Sequence, residues 1–572
     1  MKLNSESIEF ARNHINKFYD SDFFPKLNEF AVINNKWKEI RKYLLSLEID
    51  KFAPEFPIVR AAPKNDGSFR IVHQLDSINS LIYTALGFML AENIEKYRMP
   101  YDKQKVFSYR FSPTQDGNFF ESGNKYLDYI ERTRELAESN SYILITDITG
   151  FYNHIYIHRI QNVIEGCNSS LTDLSKTIEA YLMRLNSSSS IGIPVGPVAS
   201  IIIAETLMID IDNFLEQKGE EFIRYVDDIK IFDNSIPHLT SILHDLTEYL
   251  YNYHRLFLSS AKTKIIESCE YLTENTQMPE KIEVQKIHEK LNLVNINVNL
   301  ASSYENIEPY ENIEELPPED KIRVQAEVLQ DVFRQIIGMG KLDLGLSRHI
   351  IRRSKKLRSR AIYNELLNNF DFFVPIIRDV ALYFEAVANN KVIENTMEKF
   401  ERIVSGSRFI TVPFVRDWVA YILSRNDVFQ KSDIIKHFLL IQPGFRYKLM
   451  AQKKFHGLSW LRSQRTEYSS LTSMEKREYL IACSILPKTE KKAWIATLPE
   501  ATTILEKTTI AYCLGQQKQH GETILENDMT DTIRHDQFDA MPYLMYNLSE
   551  EEQCAYILII AVSIVPTMTK HR

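Results

Sequence analysis

Residues 222–232 read Phe-Ile-Arg-Tyr-Val-Asp-Asp-Ile-Lys-Ile-Phe. Two apolar-rich runs flank Asp227 and Asp228. A strand pair would bury those runs and leave both carboxylates at a tight turn. Carboxylates so close repel each other unless a cation neutralises them. Hard oxygen donors at a turn suit Mg²⁺. A plain Asp-rich hairpin turn is the alternative that this segment alone leaves open. Residues 142–153, YILITDITGFYN, supply a third acid. An apolar strand ends in Asp147, and Gly150 lets the chain turn into a helix. A carboxylate there could bridge two metal ions. Two-metal chemistry needs such a clamp: one ion activates the attacking hydroxyl, the other stabilises the leaving oxygen.

Two more segments belong with these acids. Residues 192–200, GIPVGPVAS, open an apolar helix. A glycine-bearing turn at a helix start permits close approach by a ligand. Residues 258–264, LSSAKTK, offer Lys262, with Lys264 behind it, to protonate a pyrophosphate leaving group.

Behind these residues the chain must supply strands ending at one edge. Residues 141–275 alternate short β runs and helices. Ser141–Thr146 reads as a buried strand, Pro197–Phe214 as a helix and Glu221–Asp233 as a hairpin. Another helix precedes Ser259. Upstream, residues 1–50 read as amphipathic helices. The pre-proline residues Ala53, Phe56 and Ala62 are biased to extended backbone. Residues 63–70, PKNDGSFR, look like a β-hairpin with Asp66-Gly67 as a type I′ turn. A helix follows from about Ser77 to Lys96.

Composition agrees with such a chain. Its 572 residues are 44% hydrophobic and 25% charged, which disfavours wholesale disorder. Only 17 are glycine, which disfavours a turn-rich all-β protein. The five cysteines (167, 269, 483, 513, 554) contain no CxxC pair, so a disulfide scaffold and a Cys-based zinc module are excluded. The first residues, MKLNSESIEF, lack the apolar core expected of a signal peptide. The longest apolar run, Ala555–Pro566, is too short for a bilayer and reads as a buried terminal helix.

The net charge of −8 hides an asymmetry. Residues 1–269 carry net −7, 270–322 net −8, 323–520 net +13 and 521–572 net −6. A basic block suggests a polyanion partner, or else a solvated helical face. Within it, Arg348, Arg352, Arg353, Lys355, Lys356, Arg358 and Arg360 form the densest cluster. Nucleic-acid contact there would give a salt-dependent affinity. Residues 304–320, YENIEPYENIEELPPED, read as an acidic linker. Beyond it the chain reads as helix upon helix. VPIIRD at 374–379 matches VPFVRD at 412–417, and Tyr383 matches Tyr421, all offset by 38 residues. That period suits HEAT-like solenoid repeats. A compact helical bundle is the alternative.

The ordered set 142–153, 192–200, 222–232 and 258–264 resembles motifs A, B, C and D of reverse transcriptases. Lys64–Arg70 resembles their fingers motif. The resemblance covers roughly residues 50–270. FYNHIYIH (151–158) and VFSYRF (106–111) are similar to segments of bacterial defence-associated members, the abortive-infection and "unknown" groups. A long α-helical repeat domain in place of a thumb is also similar to theirs.

The resemblance implies a fold: α+β right-hand palm and fingers followed by an all-α HEAT-like helical repeat domain. Its parts would be N-terminal helices at 1–50, fingers at 51–140, palm at 141–275, linker at 276–322 and helical repeats at 323–572. It also implies roles. Asp147, Asp227 and Asp228, helped by the Ile148 carbonyl, would hold two Mg²⁺ or Mn²⁺. Tyr152 would crowd a ribose 2′-OH and favour deoxynucleotides. Lys64 and Arg70 would meet the triphosphate, with Pro194, Gly196 and Tyr225 completing the nucleotide site. Lys262 would be the general acid, Lys264 the fallback. One departure stands out: the family's Pro-Gln-Gly is here Pro194-Val195-Gly196. Val195 cannot make the amide contacts of Gln, which puts template-guided copying in doubt.

The expected activity is metal-dependent DNA synthesis from dNTPs in antiphage defence, with protein priming and template independence as further expectations. The expected partners are dNTPs, DNA attached to a Tyr (Tyr43 is a candidate), a non-coding RNA and further copies of the chain, with no membrane. The expected location is the bacterial cytoplasm. The alternatives are a reverse transcriptase copying a bound RNA and a non-catalytic nucleic-acid platform. His154 and His158, four apart, read as structural. Residues 425–430, RNDVFQ, lack the His of an Arg-Asn-x-x-x-His ribonuclease motif.

Overall fold

The computed structural model describes residues 1–276, 318–440 and 458–515, apart from Asp20, Asp22 and 122–124. Most of the acidic linker, the run Ala555–Pro566 and Cys554 lie outside these. No helix among the described residues is long and apolar enough to cross a membrane.

Among the described residues six strands form two sheets. Strands β1 (Ile58–Pro63) and β2 (Phe69–Gln74) pair antiparallel, with Pro63 opposite Phe69. The type I′ turn expected at Asp66-Gly67 does not form, because only Gly67 has a positive φ, 81°. Instead Lys64 N–H donates to Ser68 O, and Gly67 N–H to Lys64 O. Asp66 Oδ1 accepts from Ser68 N–H at 2.9 Å. That side-chain bond favours a longer loop, in which Asp66 keeps ordinary backbone.

The second sheet has the order β4-β5-β3-β6, all antiparallel. Here β3 is Tyr142–Asp147, β4 Glu221–Tyr225, β5 Asp228–Asp233 and β6 Lys264–Glu267. Strands β3 and β5 take the centre, where both edges are paired. Helices Ser77–Ile94 and Val198–Gln217 pack on each other. Both are apolar on nearly every face, as fully buried helices are. Gly87 makes their contact possible: a Cβ there would lie 2.9 Å from Ala199 Cβ. One core joins side chains from Leu3 to Leu256 with Met474 and Leu505, so the N-terminal helices and the four-stranded sheet share it.

The helices of 318–440 lie in two rows. Leu344–Lys356 packs on Ile377–Val387, which packs on Pro413–Ser424. Alongside, Tyr363–Asn368 packs on Asn390–Gly406, and that on Asp433–Leu440. The positions matched at 38 residues differ in their contacts. Asp379 pairs with Arg352 at 2.7 Å, whereas Asp417 reaches Arg60 of β1 at 3.4 Å. Tyr383 donates to Ser359 O, Tyr421 to Glu385 Oε2.

This helical core also takes in Phe24, Ala62 and Val72, so the β1–β2 hairpin is docked on it. Residues 458–515 form a smaller core of their own and fold back onto the N-terminal helices.

Candidate active site

Strand register brings the acids together. In β3–β5, Asp147 stands opposite Asp228. In β4–β5, Tyr225 stands opposite Asp228, which leaves Val226 and Asp227 as a two-residue turn. Val226 has φ 57°, a backbone that β-branched residues rarely adopt. Arg224 Nη1 donates to Val226 O at 2.8 Å and braces that turn.

Asp147 is fixed from its other side. Ser259 N–H donates to Asp147 O at 2.8 Å, and Thr149 N–H to Phe257 O at 2.9 Å. Ile148 lies in the same pairing, bridged to Leu258. Ser259 O in turn accepts from Lys262 N–H and Thr263 N–H. This tight turn carries Lys262 to the triad: its Nζ lies 2.9 Å from Asp147 Oδ2. Lys264 starts β6, paired with Ile145, and is exposed.

The charges respond to this crowding. Burial, then Asp147 and Asp228, push Asp227 up to about 7. Burial and Asp147 likewise raise Asp228. Burial works against the Lys262 ammonium, but its bond to Asp147 and the neighbouring carboxylates outweigh that and raise it. Among the described residues no three acidic, His or Cys side chains already converge at ion-holding distances. The donor set nonetheless fits a divalent cation: hard carboxylate oxygens whose mutual repulsion a 2+ charge would relieve.

The glycine turn before Val198–Gln217 lies against this site. Ile193 N–H donates to Tyr152 O at 2.9 Å. Gly196 has φ 128°, and a Cβ there would sit 2.8 Å from Ser21 Oγ. Val195 pairs with His73 of β2: its N–H donates to His73 Nδ1 at 3.0 Å, and its O accepts from His73 N–H at 2.8 Å. Burial holds His73 down at about 4, so the ring stays neutral and able to accept. The Val195 side chain packs against the helical core. Pro194 lies between Val195 and the bond to Tyr152.

Tyr152 is half-buried, and its hydroxyl is raised by burial first, then by Tyr109, Glu205 and Asp227. Tyr225 joins an aromatic group with Tyr126 and Tyr129, at ring distances of 5.2 and 5.6 Å. Burial and Asp228 raise both of those tyrosines. Lys64 and Arg70 are exposed at the loop end of the β1–β2 hairpin.

The basic stretch is held largely within the protein. Arg348 and Arg352 face Asp379, and Arg353 donates to Gln325 Oε1. Arg358 and Arg360 donate to the carbonyls of Ala386 and Val387 at the end of Ile377–Val387. Lys355 is exposed near the end of Leu344–Lys356. Lys356 closes the helix, exposed. Tyr43 lines a cavity with residues outside the triad. His154 and His158 have separate partners, Thr149 O and Glu179. Arg425 pairs with Glu385.

One group escaped the sequence reading. Arg224 is wholly buried and makes a bidentate pair with Asp212, both bonds at 2.7 Å. It also reaches Glu205, which accepts from Arg98 at 2.6 Å and Ser108 at 2.7 Å. The signal was there: Glu205 and Asp212, seven apart and both buried on a largely apolar helix, with an arginine in an apolar-rich strand.

Residues 62–275 match the family model described as reverse transcriptase (RNA-dependent DNA polymerase). Among solved structures the chain is similar to apo telomerase from Candida tropicalis, with TM-score 0.30 and 12% identity, over 68% of this chain and 74% of that one. It is also similar to telomerase from Candida albicans in complex with a TWJ fragment of telomeric RNA, with TM-score 0.28 and 12% identity, over 82% and 71%. The corresponding complex from Candida tropicalis gives TM-score 0.30 and 11% identity, over 77% and 71%. No curated protein matches the chain.

Proposed function

Residues 62–275 being a reverse transcriptase domain, with the RNA-directed DNA polymerase activity that such a domain carries, we propose a DNA polymerase that joins deoxynucleotides by 3′-OH attack on an α-phosphate. The observation that carries this is Asp147 set opposite Asp228 by register, Asp227 on the adjoining turn and Lys262 at 2.9 Å from Asp147.

Asp147, Asp227 and Asp228, with the Ile148 carbonyl, would hold two Mg²⁺ or Mn²⁺. Such ions, when bound, neutralise charge at the attacking and leaving oxygens. Lys262 keeps a proton at Nζ and delivers it to the pyrophosphate oxygen once Asp147 has other partners. Tyr152 crowds the ribose 2′ position. Lys64 and Arg70 draw in the triphosphate from the hairpin. The helix Leu344–Lys356 shares its basic side chains between internal partners and the DNA backbone.

The finer reading is a defence polymerase of the bacterial abortive-infection type, with a HEAT-like helical domain, working without a conventional template or primer and leaving its DNA on a tyrosine. Support comes from Val195, whose side chain is turned to the helical core and offers no amide to a nascent pair. Purified protein with dNTPs and Mg²⁺, and no added template, should give DNase-sensitive product that shifts on a denaturing gel after protease. Asp227→Ala should give at least about 100-fold less, since losing a ligand that stabilises transition-state charge removes several kcal/mol. Equal product from that variant would sink the proposal. The second reading, copying of a bound non-coding RNA, is favoured by the family match itself. Sequence complementarity between co-purified RNA and the DNA product would decide for it.

A further inference from the structure

A cavity of about 400 Å³ opens where the N-terminal helices, the stretch before β1 and the helix Ile504–Gly515 meet. It lies apart from the triad and does not depend on how that site is read. Asp76 lines it and is only 3% exposed. Its Oδ1 caps the helix Ser77–Ile94, accepting from Ile78 N–H at 2.9 Å and Asn79 N–H at 3.2 Å. Its Oδ2 is buried with no hydrogen-bond partner. An acceptor left so is costly unless something supplies a donor. Arg477, the guanidinium nearby, is already committed to Glu29 and to both oxygens of Glu55.

The surroundings say what kind of donor fits. Glu55, on the same wall, is a second acceptor, and the Tyr43 hydroxyl is a third polar group. Burial and then the charge of Asp76 raise Tyr43, which lines the same cavity. Phe52, Ile78 and Ile504 give apolar walls suited to a flat ring. The mouth has the opposite character. Thr502 and Thr503 sit at the start of a twelve-residue helix, with Thr503 Oγ1 accepting from Glu506 N–H at 3.1 Å. Lys507, exposed, follows one turn later. Glu506 is engaged by Thr502 N–H. A helix N-terminus beside an ammonium suits a phosphate. The volume falls within the range of about 300–1,000 Å³ usual for ligand sites.

We propose that this cavity binds a guanine nucleotide: the base between the apolar walls, its two N–H groups on Asp76 Oδ2 and Glu55, and its phosphate at Lys507 and the helix start. Adenine would turn a ring-nitrogen lone pair toward the carboxylates and be rejected.

Calorimetric titration of the full-length protein tests this, with EDTA present so that metal-dependent binding at the triad is suppressed. GTP should bind one-to-one, and ATP at least about tenfold more weakly, because a site built for N–H donors rejects a base that lacks one. Asp76→Asn keeps the helix cap, since Asn caps as well as Asp, but puts an amide NH₂ where Oδ2 stood. It should weaken GTP at least about tenfold by leaving the base N–H without its acceptor. Lys507→Ala, at an exposed position, should weaken GTP several-fold without altering the melting temperature, and it carries the test if Asp76→Asn does not fold. No GTP binding, equal binding of ATP, or binding that neither substitution weakens would overturn the proposal.

Discussion

Asp227 bears a large electrostatic cost within the triad. Burial first, then its two acidic neighbours, raise it to about 7, against about 3.9 for an isolated Asp. The folded protein therefore holds this proton more tightly than the unfolded chain. The resulting stabilisation is full below about pH 4 and lost as pH rises through about 7. The melting temperature of metal-free protein should fall between about pH 5 and 8. Mg²⁺ should restore it more at the upper end, where no proton has to be displaced. Thermal melts across that range, with and without Mg²⁺, check both; a metal effect larger at low pH would contradict the account. Lys262 runs the other way. Its raised pKa keeps the ammonium charged at neutral pH, as a proton donor requires. Lys262→Ala should lower kcat by about 10²–10⁴-fold, the usual worth of a positioned general acid. Single-turnover rates would show it, and a loss confined to KM would assign Lys262 to binding instead.

At the scale of elements, the β4–β5 turn is held up by a buried ion network. Glu205 lies among two guanidiniums; burial opposes its charge, yet Arg224 and Arg98 outweigh that and lower it. Asp212 has Arg224 as its bidentate partner, and there burial prevails and raises it. Arg224 also braces the strained Val226, so stability and site geometry meet in one side chain. Arg224→Met strands the buried Asp212 carboxylate and takes one of two cations from Glu205, and should cost about 3–5 kcal/mol. Adding Glu205→Gln and Asp212→Asn should recover part of it. Denaturant unfolding of both variants checks this; no recovery would mean that the loss lies in packing. The network also marks where the sequence stopped being readable. The triad could be found because each acid ends an apolar strand or tops a tight turn, and that chemistry is local. Arg224 meets Glu205, Asp212 and Ser108 across 12 to 116 positions, which periodicity does not encode. The loop after Pro63 was misread for a related reason: Asp66 could serve as a type I′ residue or bond Ser68, and only the three-dimensional setting chooses.

For the whole molecule, the two halves are tied at points far apart in the chain. Trp418 Nε1 donates to Phe23 O at 2.8 Å, and Ala62 and Val72 enter the helical core. The 38-residue match in sequence gave no hint that Asp417 would serve the β1–β2 hairpin, whereas Asp379 serves the neighbouring helix. The second tie is charged. Arg477 is 1% exposed and pairs with Glu29, itself fully buried, at 2.6 Å, and with Glu55 at 2.7 Å. The bond spans 448 residues, so the segment 458–515 and the N-terminal helices should unfold together. Arg477→Ala removes the cation and strips the buried Glu29 carboxylate of its guanidinium partner, near Asp76, itself raised to about 7 by burial and Glu55. That should cost about 3–5 kcal/mol. Pairing it with Glu29→Gln should return a measurable share, because the stranded charge is then gone. Calorimetry distinguishes the outcomes. One cooperative transition in the parent protein should split in Arg477→Ala, with 458–515 melting first by limited proteolysis. If the parent already melts in two steps, or the substitution lowers both steps equally, the charged tie does not couple the halves.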